Sequence, residues 1–324
     1  MAFHYELRQE REPWKHARTW MLFWSRRFFR IAPLYYVVLV IALLAGPYVG
    51  HARETLAGIV PGTASEPSRY FDQSPMNILA HLTFVFGQIP YYSFRTPLPD
   101  WSIGLEMAFY AVFPFIMLAS RRLSLVITAV VLAVLAFALL RFAPEVPGAF
   151  RFPSFLPLRL HLFMAGSLIA AACTRSDRTT FGMVAVALAL SASPIDGNLL
   201  ELSMRLLLAA GLSFMVHGHR VASIRSFSAM ADNFLGLKPF RILGDLSYGA
   251  YLIHLLVLIP AMAFVAQRGF NAPVRFALAT TFTIAVVYLA AWLAHRFIEQ
   301  PGIALGKRLT NAMPKDAELL AGAN

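Results

Sequence analysis

The chain has 324 residues, 58% of them hydrophobic and only 14% charged, with a mean hydropathy of +0.60. Such a composition excludes an ordinary soluble domain and implies a polytopic membrane protein. The formal charge of +11 lies in short loops beside apolar runs, as topology signals do, which argues against a nucleic-acid partner, and the single Cys173 excludes both a disulfide framework and a cysteine metal site.

The opening MAFHYELRQEREPWKHAR is charged and has no apolar core, so no signal peptide is expected and insertion begins at an internal span. Next, FWSRRFFRIAPLYY, residues 23–36, sets Arg26, Arg27 and Arg30 just before the first apolar run. On a helix Arg27 and Arg30 share a face at i, i+3. That spacing has two readings: a basic anchor among the belt aromatics Trp24, Phe28 and Phe29, or a guanidinium clamp for the phosphates of an anionic donor.

Apolar runs long enough to cross a bilayer follow at 31–49, 101–119, 123–142, 156–173, 181–195, 199–217, 242–266 and 276–295. Met76–Ile89 is shorter and carries Asn77, His81, Thr83 and Gln88, which suits a re-entrant or interfacial piece. With eight crossings and the N-terminus inside, most Lys and Arg residues fall on the inner side, whereas a ninth crossing would divide them almost evenly. The predicted fold is therefore all-α, a polytopic helical membrane protein with about eight spans plus one re-entrant or interfacial segment and both termini cytoplasmic. Three regions are expected: a basic cytoplasmic segment 1–30, a membrane domain 31–299 and a cytoplasmic tail 300–324. The re-entrant piece implies a cavity opening outward, because non-helical backbone persists at membrane depth only inside protein or beside water.

Four ionisable residues fall within apolar runs: Glu106, His161, Arg205 and His254. Counting helical rise from the outer boundary, with Asp100 and Phe155 taken as boundary markers, places all four at roughly 9 to 11 Å depth. Charges there are expensive in lipid, so they should face one another or water. Ser102, Glu106 and Tyr110 recur every four residues and share one helix face. Glu106 is open to a structural pairing with Arg205 as well as to a functional role, and His254, on a stripe with Ser247 and Tyr251, to a packing role as well as to proton transfer. His217 and His219 read as interfacial, and no metal site is expected.

Several stretches together resemble acyltransferase family 3, membrane proteins that O-acylate bacterial cell-surface glycans and some secondary metabolites. RRFFRIAPLYY is similar to the family's R-x-x-R element and I-x-P-x-Y helix start. DWSIGLEMAFYAVFP matches its W-S-L-x-x-E helix at Trp101, Ser102, Glu106, Phe109, Tyr110 and Pro114. FMAG (163–166) resembles its F-x-x-G helix, LGDLSYGAYLIHLLVL matches G-x-x-S-Y-x-x-Y-L-x-H at Gly244, Ser247, Tyr248, Tyr251 and His254, and HRFIEQP resembles its closing R-F-I-E-x-P.

The resemblance implies an O-acyltransferase of the bacterial cytoplasmic membrane, with acetyl-CoA or another acyl-CoA as co-substrate, no permanently bound cofactor, and a glycan or glycoside hydroxyl as acceptor. It makes Arg27 and Arg30 donor-side residues, Glu106 and His254 candidates for catalysis, and Trp101, Ser102, Tyr110, His161 and Arg205 candidates for substrate binding. Family members begin with two further apolar segments, the first bearing an arginine and a histidine regarded as central to catalysis; MAFHYEL resembles the tail of the second. The chain as written is then expected to lack that histidine, through a late start or a deletion, leaving Glu106, His161 or His254 as the available bases. The competing expectation is a glycan or lipid translocator, or an inactive scaffold of the same fold.

Overall fold

In the computed structural model, residues 14, 16–173, 178–193, 195, 198–221, 223 and 225–312 are described. Among them every regular element is helical and there is no strand. In order, the α-helices of eight residues or more are α1 (Ala17–Ile59), α2 (Pro75–Leu82), α3 (Trp101–Leu123), α4 (Leu125–Phe142), α5 (Leu160–Ala172), α6 (Arg178–Ser191), α7 (Leu199–His217), α8 (Arg225–Leu235), α9 (Lys238–Ala266), α10 (Ala272–Ala294) and α11 (Gln300–Asn311). A π-helical turn, His295–Glu299, joins α10 to α11. Six helical runs are long and apolar enough to cross a bilayer, and two shorter apolar helices, α5 and α6, occupy the other two predicted spans. This is a multi-pass helical membrane protein.

Two compact units divide the chain: residues 22–104 with 242–324, and 1–21 with 105–241. The division falls inside α3.

In the first unit α1 and α9 run in the same direction. Tyr248 donates to the carbonyl of Ile31 at 2.9 Å, Gly249 lies against Leu34, Val49 packs with Ile259, and Leu56 packs with Ala263 and Ala266. Two parallel spanning helices have an odd number of crossings between them, and with the five apolar helices α3 to α7 making those crossings Met76–Ile89 does not cross. It forms α2, about 12 Å long, and a 3-10 turn, Val85–Gln88, and α2 begins with Pro75 after an Ser74 cap.

The segment after α1 re-enters along that helix. Tyr70 and Phe71 lie against Gly46 and Gly50, Gln73 donates to the carbonyl of Leu43, Tyr36 donates to that of Leu82, and Phe84 and Phe86 pack on Tyr35. From Gly50 to Tyr35 the descent is about 22 Å along the helix axis. At its tip Phe84 has φ 60°, a left-handed conformation that bulky residues rarely adopt.

Two helices exceed their predicted spans. α1 has 43 residues and the continuous run Ala272–Asn311 has 40, each about twice the roughly 30 Å hydrocarbon thickness. The predicted boundary at residue 30 and the separate tail at 300 are both crossed by continuous helix. At these ends α11 docks on α1: a Cβ on Gly302 would come within 2.8 Å of Pro33 Cγ, and one on Gly306 within 2.6 Å of Phe29 Cβ. Small residues four apart let the two backbones approach closely.

In the second unit the 13-residue α5 packs against α4, α6 and α7, with Met164, Leu168, Ile169 and Ala172 buried. Its last carbonyls are capped from the next helices: His217 meets the carbonyl of Ile169 at 3.2 Å, and Arg220 donates to those of Ala172 and Cys173. The connecting α8 exposes Phe227, Met230 and Phe234 along one face, a pattern suited to the headgroup boundary.

Candidate functional site

The re-entrant segment carries a buried polar cluster to the level of Tyr35. Asp100, 3% exposed, accepts a hydrogen bond from the Thr96 hydroxyl at 2.8 Å and another from Tyr35 at 3.2 Å, and faces His81 Nε2 at 3.6 Å. His81 stacks on Phe86 with centroids 4.2 Å apart, and its Nδ1 lies 2.8 Å from the carbonyl of Asn77. Arg69 lies over the Phe94 ring and donates to the carbonyls of Thr96 and Leu98, pinning the returning strand of the loop. Asn77 donates to the carbonyls of Asp72 and Arg95, while its own Oδ1 is buried without a hydrogen-bond partner.

Directly beyond Asp100, α3 begins. The Ser102 hydroxyl donates to the Tyr251 hydroxyl at 2.9 Å, and Tyr251 donates in turn to the carbonyl of Pro99. One turn further along α9, His254 Nδ1 bonds the carbonyl of Tyr251. A carbonyl only accepts, so Nδ1 carries a hydrogen, and in the neutral form of this half-buried ring Nε2 is the acceptor nitrogen. A hydroxyl pair held by a backbone carbonyl therefore sits one helical turn from a potential base.

Residues 2–292 match the family model described as an acyltransferase domain. The chain belongs to acyltransferase family 3. No curated protein and no solved structure matches it. Acyltransferase family 3 membership agrees with the motif order read from the sequence.

The remaining predicted residues divide between the two units. Arg27 and Arg30 stand at i, i+3 on α1, in helical geometry as expected, with Arg30 exposed and Arg27 over the Phe23 ring at 5.8 Å. Trp101, Ser102 and His254 belong to the same unit as these arginines. Glu106, Tyr110, His161 and Arg205 belong to the other. There, Tyr110 donates to the Glu106 carboxylate, so the four-residue spacing does bring these two together. Phe109 stacks on Phe163 with centroids 4.0 Å apart, joining α3 to α5 two residues from the fully buried His161. Arg205 reaches Glu201 on its own helix at 3.4 Å. Among the described residues no group of three metal-ligating side chains converges.

Two boundary markers used for the depth estimates are corrected. Asp100 lies not at the outer surface but beside Tyr35, because the re-entrant segment delivers it there. Similarly, α5 begins at Leu160, after a 3-10 turn at Leu156–Leu158, so His161 stands in its first turn rather than six residues in. Hydropathy counting assumes that a helix starts where the apolar run starts, and Pro157 prevents that here.

Sequence reading missed Tyr35, His81, Thr96 and Asp100 as a group. The available signal was polarity inside a stretch too short to span, but no periodicity relates residue 35 to residue 100.

Proposed function

We propose that the protein is an integral-membrane O-acyltransferase of the bacterial cytoplasmic membrane, with both termini cytoplasmic. It moves an acyl group, acetyl in the simplest case, from acyl-CoA to a hydroxyl of a surface glycan or glycoside. What carries this reading is the Ser102–Tyr251–His254 constellation within a chain of acyltransferase family 3.

Arg27 and Arg30 hold phosphate oxygens of the donor, for which forked guanidinium groups are suited. His254 Nε2 takes the proton of the acceptor hydroxyl while that oxygen attacks the thioester carbonyl carbon. The C–S bond then breaks, and the thiolate leaves with the proton returned by the imidazolium. Ser102 and Trp101 orient the acceptor.

The test uses membranes containing the protein, radiolabelled acetyl-CoA and a glycan extract. Arg30→Ala is expected to reduce transfer at least tenfold through the KM for acetyl-CoA, and His254→Ala to reduce kcat by about a hundredfold. Wild-type activity in either variant would refute the assigned role.

The deep re-entrant segment favours a second reading, a glycan or lipid translocator, since irregular backbone at depth often lines a passage. Flux of glycan across vesicles in the absence of any acyl-CoA would support that reading instead.

A further inference from the structure

The π-turn His295–Glu299 builds a second polar site, apart from the constellation at His254. Glu299 is buried, and its carboxylate accepts from His295 Nδ1 at 3.0 Å, while the Gln300 amide meets His295 Nε2 at 3.0 Å. The imidazole is therefore fixed at both nitrogens. Inserting the wider turn changes the helical phase, so that Trp292, Arg296, Phe297 and Gln300 join His295 around one cavity of about 500 Å³. That volume falls within the range of small-molecule sites.

Its walls define a ligand. Trp292 and Phe297 offer flat aromatic surfaces, 47% and 64% exposed. Between them Arg296 is exposed and, among the described residues, pairs with no carboxylate, the nearby Glu299 being committed to His295. An aromatic body bearing phosphate satisfies both features: the rings stack, and the guanidinium meets the anion.

Distance separates this cavity from the acyl-transfer chemistry. Gly249 and Ala291 touch where antiparallel α9 and α10 cross. His254 lies five residues beyond Gly249 and His295 four beyond Ala291, in opposite directions, which makes about 13 Å along the axis. One reacting centre cannot contact both imidazoles. An elongated substrate with its reactive group at one end and its phosphates at the other would reach both. From the cavity α11 continues to its docking place on Phe29 and Pro33, beside Arg30.

We infer that the cavity at the π-turn takes the phosphorylated purine end of a nucleotide-bearing substrate. This rests on the acyl-CoA reading given above, in which that end belongs to the donor.

Adenosine 3′,5′-bisphosphate, which has the nucleotide end without the thiol arm, provides the probe. It is titrated calorimetrically into the purified full-length protein in detergent. Wild type is expected to bind, and Arg296→Gln and Trp292→Ala each to weaken binding about tenfold or more, with the thermal unfolding temperature unchanged for the exposed Arg296→Gln. In parallel, Arg296→Gln should raise the KM for acetyl-CoA and leave transfer from S-acetylpantetheine unaffected. Absent binding to wild type, or unchanged affinity in both variants, overturns the inference. So does an outcome in which the substitutions alter only the phosphatidylglycerol retained by the protein, since the phosphate would then be a lipid headgroup. Nucleotide binding without any acyl transfer would defeat the proposed reaction but not this site; acyl transfer with unaltered nucleotide affinity would do the reverse.

Discussion

His81 Nδ1 lies against the carbonyl of Asn77, so that nitrogen carries a hydrogen and Nε2 faces the carboxyl of Asp100. Tyr35 and Thr96 supply the hydrogen bonds that Asp100 accepts. Removing one donor leaves a buried acceptor poorly satisfied. Tyr35→Phe is expected to cost about 1–3 kcal/mol, read as a lower unfolding temperature of the purified protein. His81→Leu removes the ring that stacks on Phe86 beside Asp100 and is expected to cost about 1–3 kcal/mol as well. Neither His81 nor Asp100 stood out in the sequence beyond its polarity. By contrast, Ser102, Glu106 and Tyr110 were legible as a face, because helical spacing alone relates them, and the Tyr110–Glu106 bond follows that spacing.

At the scale of elements, α11 packs tightly on α1. Gly302 and Gly306 leave no room for a Cβ against Pro33 and Phe29, so a larger residue must push the helix away from α1. Gly306→Leu is expected to destabilise the protein by about 1–3 kcal/mol, whereas Ala304→Leu, on the exposed side of the same helix, should leave the unfolding temperature unchanged. If both behave alike, the docking contributes nothing measurable. The sequence places this region in a cytoplasmic tail, and its docking partner is not legible there, since nothing local connects residue 306 with residue 29. The re-entrant segment was recognised for the opposite reason: its short length and polar content exclude a crossing without any knowledge of neighbours.

For the molecule as a whole, the parallel course of α1 and α9 bears on topology independently of charge. In a Cys173→Ser background, Gly62→Cys and Tyr91→Cys should react with an impermeant thiol reagent from one side of the membrane and Arg308→Cys from the other. Labelling of Gly62→Cys and Tyr91→Cys from opposite sides would mean that Met76–Ile89 crosses. The sequence by itself determined the membrane class, the helical architecture, the order of the motifs and the family, because hydropathy, helical period and motif spacing are properties of one dimension. Only tertiary structure decided that Asp100 lies deep beside Tyr35, that Ser102 meets Tyr251 across 149 residues, and that Gly302 and Gly306 dock on Pro33 and Phe29. Such contacts depend on which surfaces remain for burial once the helices have formed, and no local pattern encodes that choice.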